Sequence, residues 1–368
     1  MSPATEIQIL AAVVAVACAL PGVFLILRRM ALMSDAISHA ILFGIVIGFL
    51  VVKDLASPVI LIAAAATGVL TVTLTELLRR TGRVAEDTSI GLVFPVLFSI
   101  GVILISQKAG DVHLDTDAVL LGEIAFAPLD RLEWAGRDLG PRSLWVVGII
   151  GVINLIFILL FYKELKLTSF DPALAASLGF SPIVMHYALM SLTSITAVGA
   201  FDAVGSILVV ALMVAPPATA YLLTDRLSVM IWLSCAIAIV GAVAGYWLAR
   251  WLDASVAGCM ATMAGALFGL GFLCAPRRGL LALAARRAKQ KTSFAVTALT
   301  IHLSQHEGTE REVVECRRDH LGEHLGWDKP FADRVLQTAI RTGAVELDNG
   351  LMQLTDRGRA LARTAFAR

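Results

Sequence analysis

The chain of 368 residues carries 30 Lys and Arg against 29 Asp and Glu, a net charge of +1, and is 58% hydrophobic with only 16% charged residues. A soluble protein sits nearer half apolar and a quarter charged, so composition excludes the two or three soluble domains that length alone would suggest. The apolar excess is uneven: runs long enough to cross a bilayer as helices of roughly 20 residues fill the chain to about Cys274, and the tail from about Thr292 has none.

The first run, 7–27, follows Glu6 and precedes Arg28-Arg29. A signal peptide has its basic flank before the apolar stretch, so this reversed order predicts a retained membrane helix. Further spans are expected at about 36–52, 58–78, 89–106, 144–162, 183–200, 204–223, 228–250 and 256–275. Only Phe201-Asp202-Ala203 separates the sixth from the seventh, and Pro216-Pro217 interrupts the seventh. Paired prolines remove two backbone donors and predict a kink or break there, which leaves a re-entrant pair open and the count at eight or nine. Gly44/Gly48, Gly241/Gly245 and Gly265/Gly269 are small-residue spacings that predict close helix packing. The five cysteines, Cys18, Cys235, Cys259, Cys274 and Cys316, are scattered and read as small packing residues.

Basic residues follow the odd-numbered spans, at Arg28-Arg29, Arg79-Arg80, Lys163 and Lys166, Arg226 and Arg277-Arg278. Cytoplasmic loops hold such an excess, so the N-terminus is expected outside and the C-terminus inside. The loop 107–143 is a mild exception, with Lys108, Arg131, Arg137 and Arg142 among many acidic residues.

Ionisable groups within membrane spans are costly and usually mark an ion or proton pathway. Asp35 and His39, near the start of the second span, are four residues apart and share one helix face. A carboxylate with an imidazole suits a divalent transition metal such as Mn, Fe or Zn; the alternative is that Asp35 caps the helix and His39 only packs. Glu76, Glu123, His186 and Asp202 fall near span ends or turns, where solvation is cheap. His113 with Asp111, Asp115 and Asp117 reads as a solvated acidic loop in preference to a cation entry site. After the fifth span, Asp171-Pro172 is a helix start, with Asp as cap and Pro at the first helical position. Gly179 followed by Pro182 is its stop. This predicts a short amphipathic helix on the cytoplasmic face, a suitable handle for a partner protein.

In the tail, helices are expected at 295–305, 318–325 and 330–341, then a hairpin turning at Asp348-Asn349-Gly350 and a closing helix. His302/His306 and His320/His324 are spaced one helical turn apart, with Cys316 and Glu323 near the second pair. They could bind metal, but solvated helix faces are the preferred reading. Residues 292–368 hold ten Lys and Arg against eleven Asp and Glu, which argues against a DNA reader, although Arg317, Arg318, Arg334 and Arg341 could form one positive face.

Three segments in order carry a resemblance. Asp35-Ala36-Ile37-Ser38-His39-Ala40 with Gly44, the run Lys163–Phe180, and Val204–Ala220 with its Pro216-Pro217 together resemble the ABC permeases for zinc, manganese and iron, over about residues 7–278. Ser34 and Phe43 stand where that family commonly has Gly and Pro. The resemblance implies an all-α polytopic bundle of the vitamin B12 permease type in the cell membrane, residues 1–278. It assigns Asp35 and His39 as ligands of an ion in transit. It assigns Phe170, Asp171, Pro172, Ala176 and Gly179 to a coupling helix that docks on an ATP-binding cassette subunit. No G-x-x-x-x-G-K-[ST] loop occurs in the sequence, so ATP hydrolysis is expected on that separate chain. The other implied partners are an extracytoplasmic metal-binding protein and a second permease, identical or paralogous. No permanently bound cofactor is expected, only the transported Mn, Zn or Fe ion. After a basic linker at 279–291, residues 292–368 resemble the α+β winged-helix domain of metal-dependent repressors. Such repressors sense manganese or iron, so manganese is the favoured cargo. A permease for a cobalamin or siderophore chelate would need a wide cavity in place of ionic ligands. A membrane-tethered metal-responsive regulator would need a DNA-binding tail.

Overall fold

The computed structural model describes residues 2–53, 57–108, 124–134, 137–318, 321, 325–348 and 350–366. The chain divides into two compact units, Met1–Gly279 and Leu280–Arg368. The Asp111–Asp117 cluster with His113, together with Glu123, His320, Glu323, His324 and Asn349, lies outside the described residues.

The first unit is a helical bundle. In chain order it contains α1 (Pro3–Leu27), α2 (Ala31–Val52), α3 (Pro58–Arg80), α4 (Glu86–Lys108) and a small hairpin of β1 (Arg131–Trp134) with β2 (Arg137–Pro141). There follow α5 (Arg142–Leu160), the short α6 (Tyr162–Phe170) and α7 (Pro172–Ser177), then α8 (Pro182–Val204), α9 (Ser206–Leu223), α10 (Leu227–Leu252) and α11 (Val256–Cys274). Among the described residues, nine of these helices are long and apolar enough to cross a membrane. Four of them begin alike: the hydroxyls of Ser2, Ser57, Ser181 and Ser255 each accept a backbone N–H of the first turn, and in three the next residue is Pro. This arrangement satisfies one orphan donor and presets φ for the helix.

α1 is the hub, packed against α5, α8, α9 and α10. It is 72% buried along its apolar window, against 22% for α4, α5 and α11. Its buried Glu6 meets Arg131 of β1 at 3.4 Å, and Arg131 in turn binds Asp138 of β2 at 2.6 Å. That guanidinium, with the Gly140 N–H, holds the Asp138 carboxyl below its ordinary range. Asn154 of α5 is fully buried and donates to the Ala17 carbonyl of α1 and to the Thr196 hydroxyl of α8, both at 2.9 Å.

Two glycine pairs lie at close helix contacts. Gly44 rests on the backbone of Ala63 and Ala64 in α3, and Gly245 on the backbone of Met260 in α11, so a Cβ at either would collide. Gly265 and Gly269, read from sequence in the same way, have nothing within 4 Å. The expected break at Pro216-Pro217 is absent, because α9 runs through both prolines. Pro217 denies the Met213 carbonyl its helical donor, and Gly22 of α1, lacking a side chain, leaves room directly beside that carbonyl. Phe201-Asp202-Ala203 is helical too: Gly205 alone, at φ 78°, separates α8 from α9.

The second unit comprises α12 (Leu280–His306), α13 (Glu312–Glu315), α14 (Lys329–Arg341), β3 (Val345–Asp348), β4 (Leu351–Leu354) and α15 (Asp356–Phe366). The basic segment 280–291 is helical and continuous with the first helix expected in the tail. Leu299, Leu303, Val335, Leu336, Val345, Met352 and Leu354 form a core separate from that of the bundle. β3 and β4 pair antiparallel from Val345↔Leu354 to Asp348↔Leu351, and Gly350, just before β4, has φ 85°.

Candidate functional site

Asp35 and His39 project from the first half of α2. The helix cap is Met30, so Asp35 lies inside the helix and does not cap it. Asp35 Oδ1 and His39 Nε2 are 3.4 Å apart. Two such donors at about 2.1 Å from one ion subtend roughly 105–110° at that separation, a normal ligand angle. Phe94 stacks on the His39 ring and Phe98 of α4 meets it edge-on, at centroid distances of 5.8 and 6.1 Å. The side chains are 44% (Asp35) and 34% (His39) exposed within one chain. Ser34 and Ser38 do not join them, since their hydroxyls donate to the Ala31 and Ser34 carbonyls. Among the described residues no third His, Cys, Asp or Glu comes within ligand range of the pair.

The turn that introduces α2 is tied to a distant part of the chain. Arg28 Nε donates to the Ser169 hydroxyl at 3.1 Å, and a terminal nitrogen of Arg28 donates to Thr168 at 2.9 Å. Thr168 and Ser169 lie in the last turn of α6, shortly before α7. Asp171 caps α7 by accepting the Leu174 N–H at 2.9 Å, and Gly179, at φ 87°, follows its end. Phe170, Leu174, Leu178 and Phe180 present apolar side chains to solvent around α7, while Pro172 and Ala176 are exposed beside them.

A cavity of about 330 Å³ opens at this end of the bundle, lined by Arg28, Arg29, Glu76, Arg79, His186 and Tyr187 among others. The expectation that Glu76 is simply solvated is corrected here: its side chain is only 11% exposed. It is held by Arg79 at 2.8 Å and Arg80 at 3.0 Å, one turn on, and such pairing is what makes a buried carboxylate tolerable. His186 is half-buried against Tyr187, and Asp202 is exposed on α8. Sequence reasoning overlooked Arg28, whose partners are about 140 residues away; its only signal was a basic pair, which read as orientation alone.

In the second unit, His302 and His306 are half-buried on α12, with ring centroids 4.8 Å apart. Cys316 belongs to the core, and burial, with the Glu312, Glu315 and Glu307 carboxylates adding to it, pushes its thiol up to about 11.

Residues 4–275 match the family described as the ABC 3 transport family. The chain is 49% identical over 358 residues to the "Zinc transport system membrane protein TroD" of Treponema pallidum, covering 97% of each. It is 47% identical over 268 residues to the "Manganese transport system membrane protein MntD" of Bacillus subtilis, covering 73% of this chain and 90% of that one. Among solved structures, "PsaBC from Streptococcus pneumoniae in complex with Fab" is similar at 30% identity and a TM-score of 0.64, covering 77% of this chain and 96% of that one.

Proposed function

The chain belongs to the ABC 3 transport family, and from that premise we propose that it is the membrane permease of an ATP-driven importer of divalent transition-metal ions. The observation that carries this reading is the Asp35–His39 pair, two convergent ligands on one face of a helix in an apolar bundle. Two ligands do not complete a coordination shell of four or more. The half-exposed pair therefore calls for water or for the facing groups of a second permease. Weak, incomplete ligation also suits an ion that must leave again. The relatives are named for zinc and for manganese, and a carboxylate with an imidazole accepts either.

α7 is the contact for an ATP-binding cassette subunit. Its apolar side chains Phe170, Leu174 and Leu178 are exposed at the end of the bundle where the Arg28 contacts lie. Movement of α7 passes through Thr168 and Ser169 to Arg28, and from Arg28 to the turn that sets the start of α2. A binding protein delivers the ion at the opposite, outer face, with the N-terminus outside and the second unit in the cytoplasm. The second unit is a winged helix of regulatory role; its helices, its two-stranded hairpin and its own core support that reading.

The test is uptake of radiolabelled Mn²⁺ and Zn²⁺ in cells expressing the chain with its ATPase and binding-protein partners. Asp35→Ala and His39→Ala should each lower uptake by at least roughly tenfold, the scale lost when even a supporting residue of a metal site is removed, with protein still in the membrane. Full uptake in both variants would remove the ligand assignment, and competition between the two ions ranks the cargo.

A further inference from the structure

We propose that His302, His306 and Glu315 bind a divalent transition-metal ion within the C-terminal unit. One ligand atom from each residue lies within 4.8 Å of the others. His302 and His306 stand one helical turn apart on α12, the spacing by which two imidazoles on one helix face chelate an ion. Glu315 comes from the neighbouring α13. All three side chains are half-buried, so they are partly dehydrated before any ion binds.

The local fold explains why Glu315 meets the two histidines. The chain reverses after His306 through Gly308 at φ 77°, whose N–H donates to Glu312 at 2.8 Å, while Thr309 N–H donates to the His306 carbonyl. On its far side Glu315 is followed by Cys316, which is buried in the core and whose carbonyl accepts the Met352 N–H of β4 at 2.9 Å. Glu315 is thus fixed from both directions, and its own carbonyl lies 3.4 Å from His302 Nε2. Ligand atoms around one ion sit about 3–4 Å apart when each bond is near 2.1 Å, so small side-chain rotations close the cluster. Two imidazoles and a carboxylate select zinc, iron, cobalt or manganese, and they disfavour calcium and magnesium, which take oxygen ligands. Three protein ligands leave a position for water.

The site stands on its own donor set and does not depend on the transport reading. It lies in a different unit from Asp35 and His39. The full chain, purified in detergent, would be dialysed against Zn²⁺ and, separately, Mn²⁺ in the Asp35→Ala/His39→Ala background. One ion per chain should remain bound, and Co²⁺ should give the visible absorption of a nitrogen- and oxygen-ligated centre. Adding His302→Gln or Glu315→Gln should weaken that binding by about tenfold or more while circular dichroism and gel filtration stay unchanged. No bound ion in the Asp35→Ala/His39→Ala chain, or equal binding after His302→Gln and Glu315→Gln, would overturn the site. Uptake plays no part in this readout, so the failure of either proposal leaves the other separately decided.

Discussion

Asp35, His39 and Asn154 show how single polar side chains behave in a bundle whose other residues are apolar. Asn154 is satisfied by α1 and α8 at once, and its role is structural. Replacing it by Leu removes both bonds but leaves Thr196 its bond to the Leu192 carbonyl. Asn154→Leu should therefore cost about 1 kcal/mol, within the range for hydrogen bonds between membrane helices, read as a modest drop in unfolding midpoint in detergent with uptake retained. Asp35 has the reverse character. Among the described residues its carboxylate makes one ion pair, with His39, so its removal should cost little stability and much transport. Measuring both quantities for both variants separates the two roles.

At the scale of elements, close approach and coupling are decided by different residues. Gly245→Ala would push a methyl into the backbone of Met260, and overpacking of this kind costs about 1–3 kcal/mol. Gly265→Ala meets open space and should melt like the wild type, which makes it the control. For α7, Asp171→Ala removes the cap and about 1 kcal/mol of helix stability. Leu174→Asp should abolish retention of the ATPase subunit in a pull-down. Arg28→Ala should keep that retention and still lose uptake, because it cuts the link between α6 and the α2 turn without touching the exposed face of α7.

For the whole molecule, two units with separate cores imply that each is stabilised by its own burial. A chain ending at Gly279 should insert and melt as the bundle does, checked by membrane yield and a thermal scan in detergent. Uptake that then no longer responds to the metal concentration inside the cell is the expected signature of the lost second unit; an unchanged response would assign that unit no regulatory role.

Several features could be read along the chain because their causes are local. The spans follow from runs of apolar residues, α7 from Asp171-Pro172 and Gly179, and the Asp35–His39 pair from a separation of four on a helix. Which face of a span points inward was not legible, because lipid and a neighbouring helix are equally apolar and the sequence carries no contrast between them. For that reason the central place of α1, the open surroundings of Gly265 and Gly269, and the unbroken passage of α9 through Pro216-Pro217 emerged only with the neighbouring helices in place. Arg28 with Thr168 and Ser169, and Glu315 with His302 and His306, are likewise contacts between separate elements. Their proximity is set by chain reversal and packing, which no spacing in the sequence records.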